Sequence, residues 1–191
     1  MRLTHPDGQV FSFDAGALCL ELACTTGGEG FRARFEVLHT PADLVRWAAT
    51  SRLGDAAAGA TATEADLALV RRLREAVWTL AWATATGDPA DPAVIGVVNE
   101  VAALPTPIPR LTDGRAVWAG VTGAHLAAAI ARDAVVTFGT AARERVRRCG
   151  GERCALIYLD TSRPGNRRWC SMERCGNRAK VRTHRRRDGG T

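Results

Sequence analysis

Six cysteines punctuate the chain, and four of them stand as two close pairs: Cys149-x4-Cys154 and Cys170-x4-Cys175, fifteen residues apart. Paired cysteines of this kind suit zinc. Zn²⁺ takes four tetrahedral ligands, and two short knuckles bring two sulfurs each with little chain entropy lost. The four-residue gaps lie at the wide end of the usual spacing. Gly150-Gly151 after the first ligand and Gly176 after the fourth supply the tight backbone such knuckles require. The spacing therefore predicts one structural Zn²⁺ per chain, held by Cys149, Cys154, Cys170 and Cys175. Cys19 and Cys24 lie in an apolar N-terminal segment, away from any His or Cys cluster, and are expected as core residues.

The residues after the fourth cysteine carry a second kind of chemistry. Asn177 to Arg187 reads as a short helix with only Ala179 and Val181 apolar. At about 100° per residue, Arg178, Arg182, Arg185 and Arg186 fall on one face, with Lys180 and Arg187 nearly opposite. Such a helix is too short to stand alone in water, so a tether at Cys175 must hold its first turn. Between Arg143 and Arg187 there are fifteen bases and four acids, a net of +11, while the remainder has eleven bases and sixteen acids, a net of −5. Four thiolates with one Zn²⁺ lower the first figure to about +9. A polyanion is the natural partner. Arg167, Arg168, Arg178, Lys180, Arg182, Arg185 and Arg186 are the candidate nucleic-acid contacts.

The elements that must position these groups are mostly helical. Gln9–Phe13 reads as a strand, Ala15–Thr25 as a helix, and Gly27–Gly30 as a loop. Thr40-Pro41 opens a helix that stops near Leu53-Gly54. The strongest helix runs from about Thr63 to Thr86, with Leu67, Val70, Val77, Leu80 and Ala81 as its buried stripe. Asp91-Pro92 opens another, to Leu104. Asp113-Gly114 marks a β-hairpin between Ile108–Thr112 and Arg115–Val121. Gly123–Phe138 is a further helix, and Leu156–Leu159 a strand between the two cysteine pairs. The fold class is mainly α with a small β component: an independent helical domain over 1–140, then a small zinc-ribbon-like module over 141–191 ending in the basic helix.

Composition is ordinary for a soluble protein, 46% apolar and 24% charged, with few aromatics. No run reaches the roughly 18 apolar residues of a membrane span, and the first residues lack the apolar core of a signal peptide. A cytoplasmic protein with reduced thiols, and no membrane partner, is expected. Four cysteines would leave a zinc no open position, and His5, His39 and His125 sit in no recognisable catalytic motif. The chain is therefore expected not to be an enzyme.

Cys175-Gly176-Asn177-Arg178, with Arg167–Met172 before it, Ala179–Arg182 and His184-Arg185 after it, and Leu159–Arg163 upstream, strongly resembles the CGNR zinc-finger family. That finger usually follows an ABATE domain, a proposed stress-induced transcription regulator. Gly16–Leu22 and Pro41–Trp47 look similar to that domain. The resemblance implies a bacterial transcriptional regulator. DNA is then the expected partner. An RNA-binding or ribosome-associated module is the alternative, less favoured because Tyr158 and Trp169, the module's only aromatics, are expected in its small core rather than as stacking platforms. The larger domain is expected to form a homodimer or to bind a small-molecule effector, with Glu21, Cys24, Arg32 and His39 as candidate pocket residues.

Overall fold

A computed structural model describes residues 1–5 and 7–188, with side chains as far as Arg182. Strands β1 (Arg2–Thr4) and β2 (Val10–Ser12) pair antiparallel, with Leu3 opposite Phe11. Phe11 turns inward between two exposed neighbours, the alternation of a half-buried strand. Helix α1 (Leu18–Thr25) follows, buried over Cys19–Ala23. A 3₁₀ stretch, Gly30–Phe35, leads to α2 (Pro41–Thr50). The long α3 (Glu64–Thr86), α4 (Pro92–Ala102) and α5 (Gly123–Gly139) complete the helical part. Between α4 and α5 stands the hairpin of β3 (Pro109–Thr112) and β4 (Arg115–Trp118). Its turn residues Asp113 and Gly114 both have positive φ, 47° and 73°, as an Asp-Gly type I′ turn requires.

The helix starts follow directly from local chemistry. Thr40 and Thr63 each accept the amide of an Asp three residues on, Asp43 and Asp66, whose carboxylates reach back to the cap amide. These reciprocal boxes satisfy amides that have no partner inside the helix. Asp91 caps α4 through the Ala93 amide, and Gly87 ends α3 in the left-handed region at φ 82°. At α5 the box is built from Thr122 and the ring of His125.

The C-terminal module adds β5 (Val146–Arg148), antiparallel to β6 (Ile157–Leu159), and helix α6 (Asn177–Asp188). It packs against the helical part. Strand β5 packs on α3, and β6 on both α1 and α3. Val146, Ile157, Tyr158 and Cys149 belong to the same apolar core as Phe13, Leu20, Leu73 and Val77. Burying Ile157 and Tyr158 completely contributes about 1.5–3 kcal/mol each. The Leu159 amide donates to the Ala15 carbonyl at 2.8 Å, and the Ser12 amide to Glu173 Oε2 at 2.8 Å. The apolar core runs across the boundary expected near residue 140. Among the described residues, no helix is long and apolar enough to cross a membrane.

Candidate metal centre and basic helix

The hairpin positions the first knuckle. The ladder of β5 and β6 continues one step, the Cys149 amide donating to the Leu156 carbonyl at 2.9 Å, and the chain then turns sharply. The Gly151 amide folds back on Cys149 Sγ at 3.4 Å, and the Cys154 amide closes on the Gly151 carbonyl at 3.2 Å. Arg153 sits in the left-handed region, φ 57°, at the tip of this turn. The second knuckle arrives on the returning segment. The Gly150 amide donates to the Arg168 carbonyl at 2.9 Å, and the Cys170 amide donates to Cys149 Sγ at 3.2 Å. Ser171 caps a single π-turn, Met172–Gly176, by accepting the Glu173 amide, and α6 starts at the next residue.

The four sulfurs lie within 4.8 Å of one another, and Cys154 Sγ is 3.9 Å from Cys170 Sγ. Four sulfurs on a tetrahedron with about 2.3 Å bonds to zinc stand about 3.8 Å apart, so the arrangement fits the ion. It does not fit disulfides, whose sulfurs are about 2 Å apart, and all six cysteines are free. The space is shaped for the cluster as well: a Cβ on Gly151 would lie 2.7 Å from Cys175 Sγ. Four thiols this close compete for protons. Hydrogen bonds from Cys154, then from Cys170 and Cys175, drive the Cys149 thiol far below its ordinary value, while Cys149 in turn pushes Cys154 and Cys170 up. A divalent cation lets all four be thiolates at once. The protein carries one structural zinc, on Cys149, Cys154, Cys170 and Cys175, and four ligands close the site.

Next to the ligands lies a turn whose role the sequence left unassigned. Asp160 is completely buried and accepts from the Ser162 amide, the Ser162 hydroxyl and the Arg167 amide at 3.0, 2.6 and 2.8 Å. Burial opposes ionisation, but these donors prevail and hold its carboxyl below the usual range. Asp160 thereby fixes the segment that delivers Cys170.

The candidate basic contacts divide by environment. Arg167 is engaged inside the fold: its guanidinium donates to the carbonyls of Asp14, Trp169 and Cys170 and lies 4.0 Å over the Tyr158 ring. It is half-buried, so part of it stays at the surface beside Arg168 in sequence. Three carbonyls at a chain crossing occupy its planar donor. Tyr158 is fully buried and Trp169 packs against Gly150 and Gly176, as expected for core aromatics. Arg168 and Lys180 are exposed. Arg178 and Arg182 turn back toward the body, where Asp7 Oδ2 stands 3.5 Å from the first and Glu152 Oε2 3.6 Å from the second. Arg185 and Arg186 lie outside the residues whose side chains are described. Sequence reasoning missed Arg174, which is buried, pairs with Asp7 at 3.1 Å and donates to Gln9 Oε1 at 2.5 Å.

Of the four candidate pocket residues, three come together. Cys24, Arg32 and His39 line a groove of about 1590 Å³ between the helical part and the zinc module. Glu21 does not; it is buried and accepts from the Arg52 amide at 2.9 Å and from Arg52 Nε at 3.1 Å. Cys24 is an anchor, its sulfur bonded to both the carbonyl and the amide of Ile157, and burial pushes its thiol up to about 11. Arg32 donates to the Gly27 carbonyl at 3.2 Å, pairs with Glu75 and lies 4.2 Å over the Trp78 ring. The wall it belongs to is held by α3: Arg74 donates to the Thr26 carbonyl at 3.0 Å and to Glu36 at 2.8 Å, and Arg71 to the Leu38 carbonyl.

Comparison with known families divides the chain near the start of the zinc module. Residues 16–141 match the ABATE family, described as "Putative stress-induced transcription regulator", and residues 145–188 match the CGNR zinc finger. A comparison with curated proteins gives no match. In the finger's signature, Cys175 is the last thiol ligand, Gly176 leaves room for Met172 and Trp169, Asn177 opens α6 and Arg178 faces Asp7. With most of its length matched by the first of these families, the chain belongs to the ABATE family and ends in a CGNR zinc finger.

Proposed function

We propose that this protein is a DNA-binding transcription regulator in which a structural zinc presents α6 to the duplex. The observation that carries the reading is the join at Cys175. The last zinc ligand is followed, after Gly176, by a helix rich in Arg and Lys, with Val181 half exposed and no apolar face to bury. A helix of this composition gains little from its own protein, and its charge asks for phosphate. Lys180 and Arg168 offer exposed charge, and Arg178 and Arg182 need only leave weak, half-exposed ion pairs to join them. Zinc acts here by building the fold, not by reacting, and we propose no catalytic activity for the chain.

RNA is the less favoured partner, because the module's two aromatics are taken up by packing and leave no platform for splayed bases. The test is binding of the zinc-loaded protein to duplex DNA and to single-stranded and duplex RNA of matched length, followed by fluorescence anisotropy over a range of salt. Tighter binding to DNA, with an affinity that falls steeply with salt, is expected. Binding to RNA alone, or to neither, would overturn the proposal.

A further inference from the structure

The groove between the helical part and the zinc module has an imbalance of charge that its own residues do not settle. Its carboxylates are engaged: Glu36 by Arg74, Asp43 by Arg46, Glu152 by Arg182, and Glu173 by the Ser12 amide. Among the described residues, Arg2, Arg34 and Arg153 also line it and have no acidic partner. These three come from β1, from the 3₁₀ stretch and from the tip of the first zinc knuckle, so the excess belongs to the groove as a whole. Alongside the cations stand aromatic rings. Phe31 is 55% exposed and meets Trp78 edge-on at 6.4 Å; Phe35 lies under Arg34 at 4.9 Å and beside the His5 ring at 5.7 Å. The faces of Trp78 are taken by Arg32 at 4.2 Å and by the stacked Trp82 at 5.1 Å, so Phe31 is the exposed ring of the groove, and it shares that groove with unpaired guanidiniums.

We propose that this groove binds a small anionic molecule with a planar aromatic body, its rings against Phe31 and its charge toward Arg34 and Arg153. The groove exceeds the roughly 300–1,000 Å³ of common ligand sites, so a two-ring molecule fits with room for water. Arg178 and Arg182 line the same groove from the start of α6. An anion seated there competes for the guanidiniums that phosphates would use, so occupancy weakens DNA binding. This last step rests on the proposed regulator function; the binding site itself does not.

The experiment uses the full, zinc-loaded chain and anilinonaphthalene sulfonate, a fluorescent anion with two aromatic groups, beside phenyl-naphthylamine, its uncharged counterpart. The sulfonate should bind saturably, at one site per chain, and at least about tenfold more tightly than the neutral compound. Arg34→Ala and Arg153→Ala remove exposed, unpaired side chains and should leave the fold intact while weakening the sulfonate about fivefold each. Arg110→Ala, on the distant hairpin, should change nothing. Equal binding of both compounds, indifference to Arg34 and Arg153, or no binding would overturn the proposal. Displacement of labelled duplex DNA by the sulfonate tests the coupling. Should the protein bind no DNA, the regulator reading falls while the fluorescence titration still decides the ligand site.

Discussion

Gly16 and Leu159 meet where the zinc module joins the helical part: a Cβ on Gly16 would lie 2.2 Å from the Leu159 carbonyl oxygen. Gly16 also has φ +78°, a conformation that costs other residues roughly 1–2 kcal/mol before any clash. Gly16→Ala should therefore destabilise the whole protein by more than about 2 kcal/mol. Thermal unfolding checks this. A variant that melts like the wild type would show that β6 does not dock on the N-terminal segment as described.

Metal content and cooperativity form one prediction. Elemental analysis should find one zinc per chain, and Cys170→Ser should release it, because zinc binding supplies folding free energy to the module. Since the core is continuous, the loss should lower the melting temperature of the helices too. A truncation ending at Thr140 should be destabilised for the same reason, exposing the faces of α1 and α3 that β5 and β6 cover. An unaltered helical transition in either variant would restore the independent first domain.

Asp160 has a clear pH consequence. Its folded carboxyl is held below the ordinary range, so the stability it contributes is present above the unfolded value near 3.9 and is lost as pH falls through the folded one. Asp160→Asn removes the charge but keeps one acceptor, and Asp160→Ala leaves the Ser162 and Arg167 amides without a partner. The second should cost about 2–3 kcal/mol, the first less. Chemical denaturation at pH 7 and well below pH 3.9 distinguishes them: the gap between wild type and Asp160→Asn should narrow at the lower pH.

The two ends of α6's first turns make opposite forecasts for DNA affinity. Lys180→Ala should weaken binding to all duplexes alike and reduce the salt slope by about one. Glu152→Gln frees Arg182 from an exposed pair and should tighten binding by about twofold, since such pairs contribute about 0.5 kcal/mol. Anisotropy titrations measure both. If Glu152→Gln weakens binding, Arg182 takes no part in it.

Short-range chemistry was legible in the sequence. Thr40, Thr63 and Asp91 announced their helices because a cap needs only residues within one turn, and Asp113-Gly114 set its hairpin because positive φ at both positions is a local demand. The zinc ligands were legible for a related reason: two sulfurs per knuckle must be close in sequence to be cheap to gather. Strands β1 and β5 were missed, being three residues each and defined only by partners elsewhere in the chain. Side-chain duties were the least readable. Composition marked Arg167, Arg178 and Arg182 alike as basic, yet a chain crossing took Arg167 inside, and Asp7 and Glu152 drew the other two toward the groove. Charge is written in the sequence; which anion or carbonyl each guanidinium meets depends on other segments, as distant as Asp14 is from Arg167, and only packing brings those together.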